Sequence, residues 1–164
     1  MSPIRLLPIL PIAAGLVLAA TAIVRAAPGD SALIKSRQDK LRDLGGAFKA
    51  IDDELKKRTP DWDNIILPNA QTVQSRSSYL PTWFPKGSGP ESGVKTYALP
   101  AIWQKTDDFT KLSKTAQSEG AKLNQVAAGR DQNALKAQTI ALGKACKACH
   151  DAYRSPDYEK ENDQ

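Results

Sequence analysis

The sequence is poor in the side chains that hold metals or build covalent frameworks. Its 164 residues include one histidine, two cysteines and one methionine. Two cysteines exclude a multi-disulfide scaffold, and three Cys and His side chains cannot fill a four-ligand zinc site without help from Asp or Glu. A run of Lys and Arg interleaved with aromatics is also missing, which removes the electrostatic footprint of nucleic-acid binding. No segment sustains the alternation of Val, Ile, Thr and aromatics expected of a half-buried strand. With 41% hydrophobic and 25% charged residues, a chain of this length suits one core.

What is present begins with a foreign-looking leader. Arg5 precedes an almost wholly apolar run from residue 6 to 24 that closes on small residues. Residues 1–26 read as a secretory signal peptide, with Val24-Arg25-Ala26 placing acceptable residues for cleavage after Ala26 and Ala20-Thr21-Ala22 offering a second site. The alternative is a retained membrane anchor, against which Pro8, Pro11 and the Ala-rich end argue. Cleavage would remove Arg5 and Arg25, leaving 21 basic against 18 acidic residues, a net charge of +3, in an exported domain of residues 27–164. That domain is expected in the periplasm of a Gram-negative bacterium, with no membrane attachment after cleavage.

Between residues 30 and 57, Ile34, Arg37, Leu41, Leu44, Phe48, Ile51 and Leu55 recur in steps of three and four and predict a long bundle helix. Asp30 or Ser31 would cap it, and Thr59-Pro60 would end it and start the next. Trp62, Ile66, Ala70, Val73, Ser77 and Leu80 predict the second helix, which Pro68 either kinks or begins. Residues 79–100, with four prolines and three glycines, read as a long loop. Trp83, Phe84 and Tyr97 argue that this loop packs on a functional group or covers the core's end. After Pro100 a third stripe runs through Ile102, Thr106, Phe109, Ser113, Ala116, Gly120, Leu123 and Ala127. Its small middle residues predict close helix packing or a bulky non-protein group. Gly129 offers a helix-terminating position and Asp131 the next cap. Leu135, Thr139, Leu142, Cys146, Cys149 and Tyr153 define the fourth helix, which trails into a charged, frayed tail over residues 155–164. The expectation is an all-α bundle of four helices.

Within that last helix stands Cys146-Lys147-Ala148-Cys149-His150, the spacing of a haem c attachment motif. At about 100° per residue, both thiols and the imidazole project to one side within little more than a turn. Two thiols can therefore bond the vinyl edge of a porphyrin while the imidazole reaches the iron. Zinc or a plain disulfide is the alternative, and a thioredoxin-like pair would need a βαβ surround that is missing here. His150 is the only histidine and Met1 leaves with the leader, so neither a bis-His nor a His/Met axial pair can form. The distal side is expected to be open or to hold water, with a lysine or the new amino terminus as the other candidate ligands.

Arg37 interrupts the apolar stripe of the first helix, and a buried guanidinium needs an anion. It is expected to hold a haem propionate; the alternative is a snorkelling arginine paired with Asp39. Leu41 follows one turn later on the same stripe and would hang over the iron.

These residues resemble the cytochrome c′ family, the high-spin branch of the class II c-type cytochromes, over essentially the whole mature chain. The resemblance rests on Arg37-Gln38 with Leu41, on residues 84–89, on Ala98-Leu99-Pro100-Ala101-Ile102-Trp103 with Phe109, and on residues 146–154. It implies an antiparallel four-helix bundle, commonly a homodimer through the first two helices, with haem c near the carboxyl end of the last helix and pentacoordinate iron. By this resemblance Cys146 and Cys149 form thioethers, His150 ligates the iron, and Leu41 shields the distal face. Arg37, Gln38 and Tyr97 would lie along the haem edge, and Arg154 would be a proximal-side arginine unless it is an ordinary helix-end cation. Low-spin relatives carry methionine where Leu41 stands. The expected function is binding of small neutral diatomic gases, chiefly nitric oxide with carbon monoxide second, in buffering or detoxification. The alternative is a one-electron carrier docking a periplasmic redox partner. Enzymatic turnover is not expected, because the assigned pocket has no distal acid–base residue.

Overall fold

The structure, a computed structural model, describes residues 28–162. The expected signal peptide lies outside the described residues. Helix α1 spans Pro28–Glu54, α2 Leu67–Ser77, α3 Ala101–Gln104, α4 Thr106–Ala128, α5 Gln132–Tyr153 and α6 Asp157–Asn162. Among the described residues the only β-pairing is an isolated antiparallel bridge between Ala98 and Arg154. The long helices α1, α2, α4 and α5 form the all-α bundle: α1 packs on α2, α2 on α4 and α4 on α5, whereas α1 and α5 meet only slightly. Cross-links such as Arg76 to Asp43, Gln74 to Asn124 and Tyr153 to Asp108 run opposite ways along each pair, so neighbouring helices are antiparallel.

Apolar spacing becomes burial. Ile34, Ile51, Ile66, Val73, Leu123 and Leu135 are fully enclosed, each contributing about 1.5–3 kcal/mol relative to exposure. The small residues of α4 serve close packing: a Cβ on Gly120 would lie 2.5 Å from Ser77 Oγ and 3.6 Å from Val73 Cγ1.

Several boundaries differ from the expected ones, each for a local reason. Helix α1 ends at Glu54, where the buried carboxylate accepts from Asp61 N at 2.8 Å and Lys57 Nζ at 2.6 Å and turns the chain. The next cap is Asp61 rather than Thr59: it accepts from Asn64 N at 2.9 Å and opens a five-residue π-turn, Trp62–Ile66. Pro68 therefore sits in the first turn of α2, where a missing N–H leaves no bond unmade. The third helix is split at Lys105 (φ −122°, ψ 52°), and α3 is tied to the loop through Trp103 Nε1, which donates to Pro85 O at 2.9 Å. Gly129 stays right-handed, and Arg130 takes the positive φ of 54°, anchored by its ion pair to Asp63. Asp131 caps α5 as expected, accepting from Asn133 N at 2.8 Å and Ala134 N at 3.0 Å. The tail is not frayed over its described part: α6 docks back on residues 95–99.

Candidate haem-attachment site

The two cysteines of α5 face different neighbourhoods. Cys146 packs against the main core, which Leu44 and Phe48 also flank, and Cys149 against a second cluster of Ile102, Phe109 and Tyr153. Both thiols are half-buried and unpaired. Burial raises the pKa of Cys146 and pushes Cys149 up to about 11, so both are neutral thiols rather than the activated thiolates of a redox pair. His150 lies on the open side of α5; desolvation, then nearby Arg154, hold its pKa below the ordinary value. A neutral imidazole keeps the lone pair a metal needs.

Across from the motif is α1. Phe48 Cζ lies 3.6 Å from where a Cβ on Gly143 would stand, which sets the register of these antiparallel helices. Helices rise about 1.5 Å per residue, so an equal number of steps back along α1 and forward along α5 reaches facing levels. Equal steps bring Leu44 to the level of Lys147, Leu41 to that of His150 and Arg37 to that of Arg154. Leu41 is half-buried and belongs to neither apolar cluster, the expected state of a leucine facing the slight α1–α5 contact. Two neutral thiols able to bond vinyl groups, one neutral imidazole able to ligate iron, and an apolar leucine at the level of that imidazole on the neighbouring helix fit haem c.

The end of the bundle is closed by rings. Tyr153 and Phe109 meet edge-on at 5.3 Å, Phe109 and Phe84 at 4.9 Å, and the Arg37 guanidinium lies 4.6 Å from the Phe84 centroid. Tyr153 donates its hydroxyl to Asp108 at 2.6 Å, and burial followed by that carboxylate raises its pKa to about 12. Sequence reasoning placed Phe109 and Tyr153 on helix stripes and among the blocks that carry the resemblance, but gave them no role at the site, and it overlooked Asp108, an exposed acid that only the fold brings to Tyr153.

Arg37 is buried at 2% exposure but is held by protein rather than by Asp39. Its Nη1 donates to Ser88 Oγ at 2.9 Å and Trp83 O at 3.5 Å, and its Nη2 to Ser88 O at 3.0 Å and Thr96 Oγ1 at 3.1 Å. Desolvation lowers its pKa, partly offset by Glu91. Asp39 pairs instead with Lys35 and Arg42. The snorkelling alternative is thus overturned, and the terminal nitrogens expected to meet a propionate are engaged by the loop. Gln38 Nε2 donates to Lys95 O at 3.0 Å. Tyr97 donates to Glu161 at 2.6 Å and meets Tyr158 edge-on at 5.2 Å. Arg154 pairs with Glu159 and covers Tyr158 at 4.3 Å. Arg37, Gln38 and Tyr97, expected along the haem edge, and Arg154, expected on the proximal side, are therefore brought together on one strap, residues 95–99, running from α1 to α6.

Comparison with known proteins agrees with this arrangement. The family model described as "Cytochrome C'" matches residues 32–154. A cytochrome c-554 of Cereibacter sphaeroides is 34% identical, covering 82% of this chain and 84% of its own. The cytochrome c' of Rhodospirillum rubrum is 31% identical over 88% of this chain and 96% of its own. Among solved structures, cytochrome c prime from Shewanella frigidimarina superposes with a TM-score of 0.70 at 29% identity, covering 79% and 98% of the two chains. A nitric oxide complex of a cytochrome c prime variant from Alcaligenes xylosoxidans gives 0.68 at 27% identity, covering 77% and 96%. With the bundle, the motif and these relatives in agreement, the chain belongs to the cytochrome c′ family, whose members carry covalently attached haem c.

Proposed function

We propose that this chain is a periplasmic haem protein that binds a small neutral diatomic ligand, chiefly nitric oxide and secondarily carbon monoxide, on the Leu41 side, so buffering or detoxifying the gas. The supporting observation is Leu41 at the level of His150 where α1 and α5 meet only slightly, in a chain with no second histidine. Bound haem c supplies an iron able to take such a ligand. Cys146 and Cys149 would hold the group to α5, and His150 would ligate the iron from one side. Leu41 covers the other side with hydrocarbon, excluding water and penalising anions that would have to shed their hydration. It must swing aside for a diatomic to enter. Arg37, through Ser88 and Thr96, keeps the loop over the end of the site, and Gln38 fixes the strap beside it.

A solved relative bound to nitric oxide is consistent with this reading. Among the described residues no helix is long and apolar enough to cross a membrane. The reading is of a binding protein rather than an enzyme, and of a homodimer formed through α1 and α2, which sedimentation of the haem-loaded protein tests. The gas reading itself is tested by mixing ferrous protein with nitric oxide and, separately, carbon monoxide. Saturable spectral changes are expected with both, tighter for nitric oxide, and Leu41→Ala should speed association at least about tenfold. Rapid electron exchange with donor proteins and no response to either gas would favour the one-electron carrier instead.

A further inference from the structure

Helix α6 begins beyond Arg154, the last residue matched by the family. It is held on both sides. Tyr158 meets Tyr97 edge-on, while Glu161 accepts from the Tyr97 hydroxyl at 2.6 Å and pairs with Lys95 Nζ at 2.5 Å. Towards α5, the Arg154 guanidinium lies 4.3 Å from the Tyr158 centroid and pairs with Glu159. The backbone between is laced to the same strap: Leu99 N donates to Tyr153 O at 2.9 Å and Ser155 N to Tyr97 O at 2.7 Å. All of this happens directly after the motif, since Arg154 N donates to His150 O at 3.0 Å.

A cation of free orientation beside an iron ligand would favour the reduced, less positive iron; a cation fixed against a carboxylate does so much less. We propose that α6 is a charge-positioning clamp: Tyr158 and Glu159 hold Arg154 in place one turn beyond His150 and offset its charge, lowering the reduction potential of the haem attached there. Tyr158 and Glu159 are positioning residues in this scheme, acting through Arg154. Arg154 and Glu159 are partly exposed, so solvent weakens their influence without removing it.

The test uses haem-loaded protein and two independent readings, the midpoint potential from an optical redox titration and amide hydrogen exchange. Glu159→Gln should raise the midpoint by leaving Arg154 uncompensated, Glu159→Asp should restore the wild-type value, and Arg154→Ala should lower it. Deleting residues 157–164 should raise the midpoint like Glu159→Gln and speed exchange at Leu99 and Ser155 by about tenfold. Unchanged midpoints in both Glu159→Gln and the truncation overturn the proposal, whatever the exchange shows. Unchanged exchange in the truncation overturns the docking on which it rests. Should the truncated chain fail to take up haem, Glu159→Gln and Glu159→Asp decide alone. None of these readings depends on nitric oxide binding, so the gas proposal and the clamp stand or fall separately.

Discussion

A buried guanidinium is stable only among acceptors, and Arg37 finds four: Trp83 O, Ser88 O, Ser88 Oγ and Thr96 Oγ1. Replacing it by alanine strands those acceptors and removes the cation from the face of Phe84. Arg37→Ala is expected to destabilise the protein by about 2–4 kcal/mol, read from the urea midpoint, and to make residues 84–96 protease-sensitive. The need for partners was legible in the sequence, because a charge in an apolar stripe demands them. Their identity was not, since Ser88 and Thr96 lie far along the chain in a loop without periodicity. Tyr153 carries a pH signature. Its pKa is raised to about 12 in the fold, above the ordinary tyrosine value of about 10, so the neutral phenol is the form the fold favours. Its contribution is fully present below about pH 10 and is lost as pH rises towards 12. Urea midpoints should fall across that window, and Tyr153→Phe should flatten the part of the fall due to this group.

At the scale of elements, the crossing of α2 and α4 is set by Gly120 against Ser77. A methyl group there would meet Ser77 Oγ at 2.5 Å, too close to be accommodated without movement. Gly120→Ala should cost about 1–3 kcal/mol by thermal or urea unfolding, and Ser77→Gly in the same chain should recover most of it. The long helices were readable because three-four spacing survives in any context; Ile34 to Leu55 and Leu135 to Tyr153 needed no tertiary information. The breaks were harder. The end of α1 depends on Glu54 receiving Asp61 N, and the left-handed residue after α4 is Arg130 rather than the neighbouring glycine because Asp63 holds its side chain. Helix α6 was invisible for the same reason: Asp157 to Asn162 is a charged segment that folds only by finding Tyr97, Lys95 and Arg154 elsewhere in the chain.

For the whole molecule, the decisive arrangement is the asymmetry of the bundle. Three helix pairs pack along their lengths, and the fourth, α1 with α5, touches at Phe48 and Gly143 and little elsewhere. The attachment motif was legible to the residue, because five consecutive positions state its chemistry. Leu41 was legible as a candidate one turn after Arg37 on the same stripe; its level opposite His150 follows from the pairing of Phe48 with Gly143 in the fold. In the function proposed above, His150 would hold the iron of bound haem c from one side and Leu41 would present hydrocarbon to the other. The absorption spectrum of the purified haem-loaded protein, ferric and ferrous and without added ligand, tests that claim most directly. High-spin, pentacoordinate spectra in both oxidation states are the result this arrangement requires; low-spin spectra in both would mean that a second strong protein donor occupies the Leu41 side and would contradict it.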